Sequence, residues 1–344
     1  MNEPNKIPIR NLYYMLCYAW DRLKEKDEVT VNQEEDKDIY HLLTRILIIR
    51  LTALMKKGFY REYKPFHEES STLRGKIDFP QSIRELSFHR SKMVITYDEL
   101  SPNILHNQII KSTLFALLKT KDLSVSYREQ IMMIYPYLGD VSLLKLDYKL
   151  FQRVTLQRGN MHYGFILNIC KLLYQGLLIN EDEGSYRFID FERNHYKMAQ
   201  LFEEFVRNFY RKELLTYKVS SDIIHWDVDD NDHSFLPVMK TDISLESETV
   251  KWIIDTKYSI ETLSRHYDTE KVKSANLYQL YAYLRNYERK LPQSKLLKGM
   301  LLYPKVDQSV DLVYRVSGHE VKVCTVDLSK NWRSIHERLL EIIV

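Results

Sequence analysis

A pair of adjacent strands that ends in charged residues constrains this fold most. The sequence predicts one strand at residues 239–245 and a second at 251–257, with a polar turn between them. The apolar run 252–254 is typical of a buried strand, which delivers the polar residues after it to a sheet edge. Side chains two apart on a strand share a face, so Asp255 and Lys257 point the same way. We therefore expect a carboxylate and an ammonium group side by side at this edge.

A second carboxylate lies on the preceding strand. There Asp242 could join Asp255 and Lys257 on one surface, and such a set suits a Mg²⁺ ion that holds a phosphate and activates a water. The pattern of an acid, any residue and a lysine proves little alone, since it recurs at Asp147-Tyr148-Lys149 and Glu62-Tyr63-Lys64. A structural pair of acids and a surface salt bridge between Asp255 and Lys257 are the alternatives to a metal site.

Length and composition set the broad class of protein. A chain of 344 residues exceeds one typical domain, so two domains are expected, and 44% hydrophobic residues suffice for ordinary cores. No apolar run approaches the roughly 20 residues that span a bilayer, and the N-terminus has no signal-peptide core. Three widely separated cysteines fit a reducing compartment and argue against zinc. We expect a cytoplasmic protein that does not enter a membrane.

Charge and glycine patterns bear on ligands. The net charge of +3 is too small to indicate nucleic-acid binding by itself. The nearest approach to a phosphate-binding loop is Gly75-Lys76-Ile77, which lacks the Ser or Thr that the motif requires after its lysine. The sequence therefore predicts that this chain binds no nucleoside triphosphate through a P-loop of its own.

The element pattern predicts two different halves. The N-terminal half is predicted to be α+β, with helices and a small β-unit at residues 59–97. From residue 195 the predicted order is a long helix, three strands, a helix, a strand, a hairpin and a helix. That order predicts an α/β domain with a mixed central sheet flanked by helices. We place the boundary between the halves at residues 180–195.

Four elements of the second half together resemble the PD-(D/E)xK nuclease core. They are a helix with Glu203, a strand with Asp242, a strand with Asp255-Thr256-Lys257, and a helix with Gln279 and Tyr283 four residues apart. The residue before Asp242 is threonine, where the name of that superfamily has proline.

Longer segments resemble the McrC family, the nuclease subunits of McrBC-type restriction systems. These segments are IPIRNLYYML at 7–16, LRGKIDF at 73–79, IIKSTL at 109–114, FIDFERN at 188–194 and NLYQL at 276–280. The resemblance extends over nearly the whole chain. It implies that residues 1–190 bind a McrB-like AAA+ GTPase hexamer and stimulate its GTP hydrolysis. It implies that residues 191–344 form a PD-(D/E)xK endonuclease domain that cuts methylated double-stranded DNA. GTP would be bound by the partner, in agreement with the missing P-loop.

The resemblance also implies roles for the residues of the site. Asp242 and Asp255 would ligate Mg²⁺ together with the backbone carbonyl of Thr256, and Lys257 would lie near the attacking water and the scissile phosphate. Gln279 would orient Lys257 or a phosphate.

Two roles stay open on the sequence alone. Glu203 would lie close to the metal or its water, with Glu204 as the competing choice. Tyr283 would pack beneath the site, with plain core packing as its alternative.

Other functions and surfaces remain open at this point. A regulatory adaptor that activates the GTPase, with a weak or idle nuclease site, is the main alternative. A stand-alone DNA-binding module is disfavoured by the small net charge. Residues 21–38 and 68–74 are candidate projections toward the GTPase ring, and Arg74 or Lys76 is a candidate to act on its nucleotide site.

Overall fold

The protein is described here by a computed structural model. It describes residues 7–23, 38–121, 123–180, 185–188, 194–228, 235–258, 263–266, 269–292, 294–305 and 308–343. The helices of these residues are α1 (Ile9–Ala19), α2 (Ile39–Lys57), α3 (Phe79–Arg84), α4 (Leu105–Leu118), α5 (Val125–Ile134), α6 (Tyr148–Gln152), α7 (Tyr163–Gly176), α8 (His195–Glu213), α9 (Ser274–Glu288) and α10 (Trp332–Glu341). None of the helices described is long and apolar enough to cross a membrane.

The strands of the described residues are β1 (Glu62–Ser70), β2 (Lys76–Ile77), β3 (Met93–Ser101), β4 (Leu177–Asn180), β5 (Ser185–Phe188), β6 (Lys218–Ser220), β7 (Ile223–Ile224), β8 (Met239–Lys240), β9 (Ile243–Glu246), β10 (Val250–Thr256), β11 (Leu263–His266), β12 (Thr269–Val272), β13 (Leu296–Pro304), β14 (Asp311–Val316) and β15 (His319–Val326). They form a six-stranded sheet in the C-terminal part of the chain, a three-stranded sheet in the N-terminal part, and three two-stranded sheets, β4-β5, β7-β8 and β11-β12.

The chain divides into two compact units, but not by a single cut. One unit comprises residues 1–39 and 190–344, and the other comprises residues 40–189. The sequence places residues 1–190 in one region, whereas in this division the first 39 residues group with residues 190–344. The reason is packing: Tyr18 of α1 stacks on Trp332 with ring centroids 5.5 Å apart, and its hydroxyl donates to Glu213. Asn11 of α1 donates to the carbonyl of Leu328 at 2.8 Å.

The unit of residues 40–189 combines helices with the small sheet. In that sheet β3 lies between β1 and β2, and all pairs are antiparallel. The ladder of β1 and β3 ends at the pair Ser70 and Met93, and the segment 71–92 connects the two strands; within it, β2 pairs with β3 at Thr96 and Ile95. The sequence predicts that Pro80 ends a strand, but Pro80 lies in the first turn of α3 because Asp78 caps that helix by accepting from Gln81 N–H.

Buried polar contacts fix the start of β1 on the helices of this unit. Asn107 of α4 donates to the carbonyl of Tyr60 at 2.9 Å, and the N–H of Tyr60 donates to the Tyr163 hydroxyl of α7 at 2.8 Å. The same hydroxyl donates to Oδ1 of Asn107 at 3.1 Å. The strand pair is therefore anchored at its base, next to the helical core.

The other unit is built on a mixed six-stranded sheet with the order β14-β15-β13-β10-β9-β6. The pairs of β13 with β10 and with β15 are parallel, and the three remaining pairs are antiparallel. Helices flank this sheet, so the predicted α/β architecture with a mixed central sheet is confirmed. Because β10, β13 and β15 are parallel, their C-terminal ends meet at one sheet edge.

Helix α9 packs closely on the centre of this sheet. Ile253, Leu280, Leu284 and Leu301 belong to one buried cluster there, and burial of such a side chain contributes about 1.5–3 kcal/mol. A Cβ on Gly299 of β13 would lie 2.9 Å from a methyl carbon of Leu284. A glycine at this position therefore lets α9 approach the strands, and α9 carries Gln279 to the sheet edge.

Candidate metal and phosphate site

Asp255 lies at the end of the central strand β10 and is fully buried, with 0% of its surface exposed. It pairs in register with Leu301 of β13. The parallel ladder continues one residue past the strand, where the N–H of Lys257 donates to the carbonyl of Leu302 at 2.9 Å. This bond fixes the backbone of Lys257, so that its side chain shares the face of Asp255 as the period of a strand predicts.

Lys257 contacts both Asp255 and helix α9. Its Nζ lies 2.7 Å from Oδ2 of Asp255 and donates to Oε1 of Gln279 at 3.0 Å. Nε2 of Gln279 in turn donates to the hydroxyl of Tyr283 at 2.7 Å. Gln279 is thus hydrogen-bonded to Lys257 and is itself held by Tyr283, which also packs in the core. The pair of Asp255 and Lys257 is not a surface salt bridge, because its acid is buried.

Asp242 lies just before β9 and is tied to the end of β10. Its Oδ2 accepts hydrogen bonds from the N–H of Thr256 at 2.7 Å and from the Thr256 hydroxyl at 2.9 Å. The charge of Asp242 also acts on Asp255, where it is one of the causes of a raised pKa. The structure therefore brings Asp242, Asp255, Thr256, Lys257 and Gln279 together at one sheet edge.

Burial raises the pKa of Asp255 to about 7. The Lys257 ammonium opposes this shift, and the carboxylates of Asp242 and Glu203 add to it by repulsion. The Lys257 ammonium contacts Oδ2 of Asp255 at 2.7 Å, and Oδ1 has no hydrogen-bond partner among the described residues. A buried carboxylate of this kind is a chemically suitable ligand for a divalent cation. Among the residues described, no group of three or more His, Cys, Asp or Glu side chains is placed to hold a metal, so a cation here would need backbone oxygen or water in addition.

Glu203 lies close enough to influence Asp255, whereas Glu204 is exposed. Glu203 is half-buried on α8 and accepts a hydrogen bond from Nη1 of Arg207 at 2.6 Å. The same nitrogen of Arg207 also donates to the backbone carbonyl of Asp242 at 3.3 Å. Glu203 is therefore linked to Asp242 through Arg207. The sequence alone did not point to Arg207, although residues four apart on a helix, such as Glu203 and Arg207, are neighbours.

A second polar contact joins α9 to the sheet near the site. Asn276 donates to the hydroxyl of Tyr303 at 2.9 Å, and Tyr303 is fully buried at the end of β13. Burial raises the pKa of Tyr303, and the charge of Asp255 adds to the shift. The spacing of Asn276 and Gln279 on one helix face is a signal that could have pointed to this contact.

Removing the charge of Asp255 is expected to stabilise the metal-free protein at high pH. Since the folded pKa of about 7 lies above the ordinary value of 3.8, the stability that the protonated carboxyl contributes is complete below about pH 4 and is lost as the pH rises through 7. Asp255→Asn should match the wild type near pH 4 and exceed its free energy of unfolding near pH 8 by on the order of 3–4 kcal/mol. Urea unfolding in EDTA measures both values. A difference that stays constant across this pH range would contradict the raised pKa.

Known proteins with related sequences and folds bear on this site. The model of the family described as McrBC 5-methylcytosine restriction system component matches residues 3–304. The chain is 34% identical over 345 residues to the Escherichia coli (strain K12) protein named Type IV methyl-directed restriction enzyme EcoKMcrBC, across 99% of this chain and 98% of that protein.

A solved structure shares the fold. It is described as the refined half-complex from the tetradecameric assembly of Thermococcus gammatolerans McrB AAA+ hexamers with bound McrC. The similarity has a TM-score of 0.60 at 17% identity, and it covers 98% of this chain and 76% of that chain. At this identity the similarity concerns the fold alone.

Proposed function

Because this chain belongs to the McrBC 5-methylcytosine restriction system component family, as a McrC-type subunit, we propose that it is the Mg²⁺-dependent DNA endonuclease subunit of a GTP-dependent restriction complex. The observation that supports this most is the buried Asp255 carboxylate, which has the Lys257 ammonium 2.7 Å from Oδ2 and whose Oδ1 has no hydrogen-bond partner among the described residues. Burying an ionisable group in this way costs free energy, and such groups cluster at functional sites.

The arrangement of the sheet edge supports a PD-(D/E)xK centre. Asp242 precedes β9, Asp255 and Thr256 end the neighbouring antiparallel strand β10, and Lys257 follows it. Mg²⁺ would be held by the carboxylates of Asp242 and Asp255 and by the carbonyl of Thr256. When bound, it supplies positive charge to a phosphate oxygen and lowers the pKa of a water. Hydrolysis of a phosphodiester bond is the reaction that this donor set fits.

The chain's own side chains have distinct parts in the proposed reaction. Lys257 presents its ammonium beside Asp255, where it would stabilise negative charge that develops on the scissile phosphate. Gln279 holds Lys257 in place, since it accepts from Nζ at 3.0 Å and is itself held by Tyr283. Glu203 and Arg207 support the backbone of Asp242 from α8.

We assign binding of a McrB-like AAA+ GTPase hexamer, and stimulation of its GTP hydrolysis, to the unit of residues 40–189. The segment 71–92, which connects β1 and β3, exposes large apolar side chains: Leu73, Phe79, Ile83, Leu86 and Phe88. Exposed apolar side chains clustered in one segment mark an interaction surface. In the same segment, the guanidinium carbon of Arg74 lies 4.0 Å from the ring centroid of Tyr97 in β3, and we propose that Arg74 or Lys76 acts on the partner's nucleotide site. Of the other candidate projection, residues 24–37 lie outside the described residues.

Replacing Ile83 with Asp is expected to weaken partner binding and GTPase stimulation at least tenfold. Ile83 is 64% exposed on α3, so a charge there places an unfavourable group in a desolvated interface without disturbing the core. Met133→Asp is the matched control, because Met133 is 66% exposed on another helix of the same unit. GTP hydrolysis by the purified partner, titrated with each variant, gives the result. Equal stimulation by both variants would exclude this segment as the partner-binding surface.

The whole proposal is tested by reconstitution. The chain should copurify with an AAA+ partner, and the complex should cut methylated double-stranded DNA only with GTP and Mg²⁺, leaving unmethylated DNA intact. Recognition of the methylated base is assigned to the partner. A complex that hydrolyses GTP under stimulation by this chain but never cuts DNA would instead identify a regulatory adaptor.

A further inference from the structure

Thr241, the residue before Asp242, is held by a set of buried hydrogen bonds. It is 1% exposed. Its N–H donates to the carbonyl of Asp222 at 3.0 Å, and its hydroxyl oxygen accepts from the N–H of Asp222 at 2.8 Å. The hydroxyl of Thr241 also shares a hydrogen bond with that of Ser244 at 3.0 Å. A proline at this position has no N–H and no hydroxyl, so it could make none of these bonds.

Asp222 connects Thr241 to the strand that carries Asp255. Oδ2 of Asp222 accepts a hydrogen bond from Nζ of Lys251 at 2.7 Å, and Lys251 is 1% exposed on β10. Lys251 lies four residues before Asp255 and therefore on the same face of the strand. A continuous path thus runs from Asp242 through Thr241, Asp222 and Lys251 to the strand of Asp255.

These contacts complement the one that holds the side chain of Asp242. That side chain is fixed by Thr256, at the end of β10, through two hydrogen bonds. Its backbone is fixed from the preceding residue by Thr241. Both the side chain and the backbone of Asp242 are thereby connected to β10, although Asp242 lies just before β9.

We propose that Thr241 and Asp222 are positioning residues, which set the place of the Asp242 carboxylate relative to Asp255 and so determine the affinity for a divalent cation. This inference rests on the proposed metal site and deepens it. A cation that needs both carboxylates at once loses affinity when one of them shifts. Residues that hold metal ligands in place typically change metal affinity by about 10–100-fold when they are replaced. In this proposal, the hydrogen bonds of Thr241 fix the backbone before Asp242, as the fixed ring of a proline would do at the same position.

The test uses the full-length chain and Mn²⁺ alone as the probe, with free Mn²⁺ measured by electron paramagnetic resonance. Thr241→Val keeps the shape and the N–H but loses the hydroxyl, and it should weaken Mn²⁺ binding roughly tenfold. Thr241→Ser keeps the hydroxyl and should bind as the wild type does. Thr241→Pro removes both groups and should bind more weakly than Thr241→Val.

Thr325→Val is the matched control for a merely structural effect. Thr325 is also buried, and its hydroxyl oxygen accepts from the N–H of Val310 at 2.8 Å, the same kind of bond that Thr241 makes with Asp222. This variant should lower the thermal unfolding midpoint by an amount similar to that of Thr241→Val, with no change in Mn²⁺ affinity. Should Thr241→Val fail to fold, Asp222→Asn removes the charged link to Lys251 and should weaken Mn²⁺ binding severalfold.

The outcomes separate this inference from the function on which it rests. If the wild type and Thr241→Val bind Mn²⁺ with equal affinity, the positioning role is overturned and the proposed metal site still stands. Equal weakening by Thr241→Val and Thr325→Val would also overturn it, since the effect would then be general destabilisation. A wild-type chain that binds no Mn²⁺ would overturn the proposed metal site itself, and the positioning role with it.

Discussion

Asp255→Asn is expected to abolish GTP-dependent DNA cleavage by the complex while GTPase stimulation stays at the wild-type level. Asparagine has the shape of aspartate but no negative charge, so it would remove a cation ligand from a site that is already buried. We expect a fall in the cleavage rate of at least about 1000-fold, which corresponds to about 4 kcal/mol of transition-state stabilisation. Single-turnover cleavage of methylated DNA, with GTP hydrolysis followed in the same samples, measures both activities.

Glu248→Gln is the matched control for this variant. Glu248 is exposed in the turn of the same hairpin, at the other end of β10 from Asp255, and the substitution again turns an acid into its amide. It should leave cleavage and GTPase stimulation unchanged. Cleavage by Asp255→Asn at the wild-type rate would refute the nuclease assignment. Joint loss of cleavage and stimulation, with a lowered unfolding midpoint, would indicate misfolding.

Replacing Lys251 with Met is expected to destabilise the protein by about 2–4 kcal/mol at pH 7. The ammonium of Lys251 is buried and contacts Asp222 at 2.7 Å and Glu246 at 2.9 Å. Breaking a fully buried ion pair costs about 3–5 kcal/mol, because it leaves a charge without its partner. The expected value is lower here because water reaches part of Asp222 and Glu246 and screens their charges. Urea unfolding of both proteins gives the difference.

The effect of this substitution should depend on pH in a defined direction. The pKa of Lys251 is raised to about 12 by the hydrogen bonds and charges of Asp222 and Glu246, which outweigh the opposing effect of its burial. Hydrogen bonds to lysines hold the pKa of Glu246 below 4.5, and the bonds of Asp222 to Lys251 and Ser220 hold its pKa below 3.8 despite burial. A carboxylate with a lowered pKa stabilises the fold above its ordinary pKa, and this stability is lost as the pH falls through the folded value. The difference between the wild type and Lys251→Met should therefore shrink below about pH 4.

Lys298→Met provides the comparison for Lys251. Lys298 pairs with Glu320 at 3.0 Å, and both side chains are partly exposed. Because exposed ion pairs contribute little, this variant should lose about 1 kcal/mol or less. A loss of that size for Lys251→Met as well would show that the buried network contributes no more than a surface pair.

The sequence was sufficient for the features that depend on local periodicity. The apolar run before Asp255 predicts a buried strand, and the two-residue period puts Asp255 and Lys257 on one face, as the structure has them. The four-residue spacing of Gln279 and Tyr283 predicts their shared helix face, and the two side chains are hydrogen-bonded.

Features that depend on distant contacts could not be predicted in this way. An apolar helix face shows that α1 packs on something, but not that Tyr18 packs on Trp332, more than three hundred positions along the chain. The partners of Lys251 are likewise unpredictable, because a lysine within a strand pattern gives no sign of which carboxylates will surround it. Local signals can also conflict. A proline such as Pro80 is compatible with the end of a strand and with the first turn of a helix, and the helix forms here because Asp78 caps it.

The proposed site requires that Asp242 and Asp255 hold one divalent cation beside Lys257. This requirement can be checked with a crystal of the full-length chain soaked in Mn²⁺, with diffraction recorded at the manganese absorption edge. We predict an anomalous peak from a manganese ion whose ligands are carboxylate oxygens of both Asp242 and Asp255 and the carbonyl oxygen of Thr256. Its absence from this sheet edge, or a peak bound only by other residues, would contradict the proposed site.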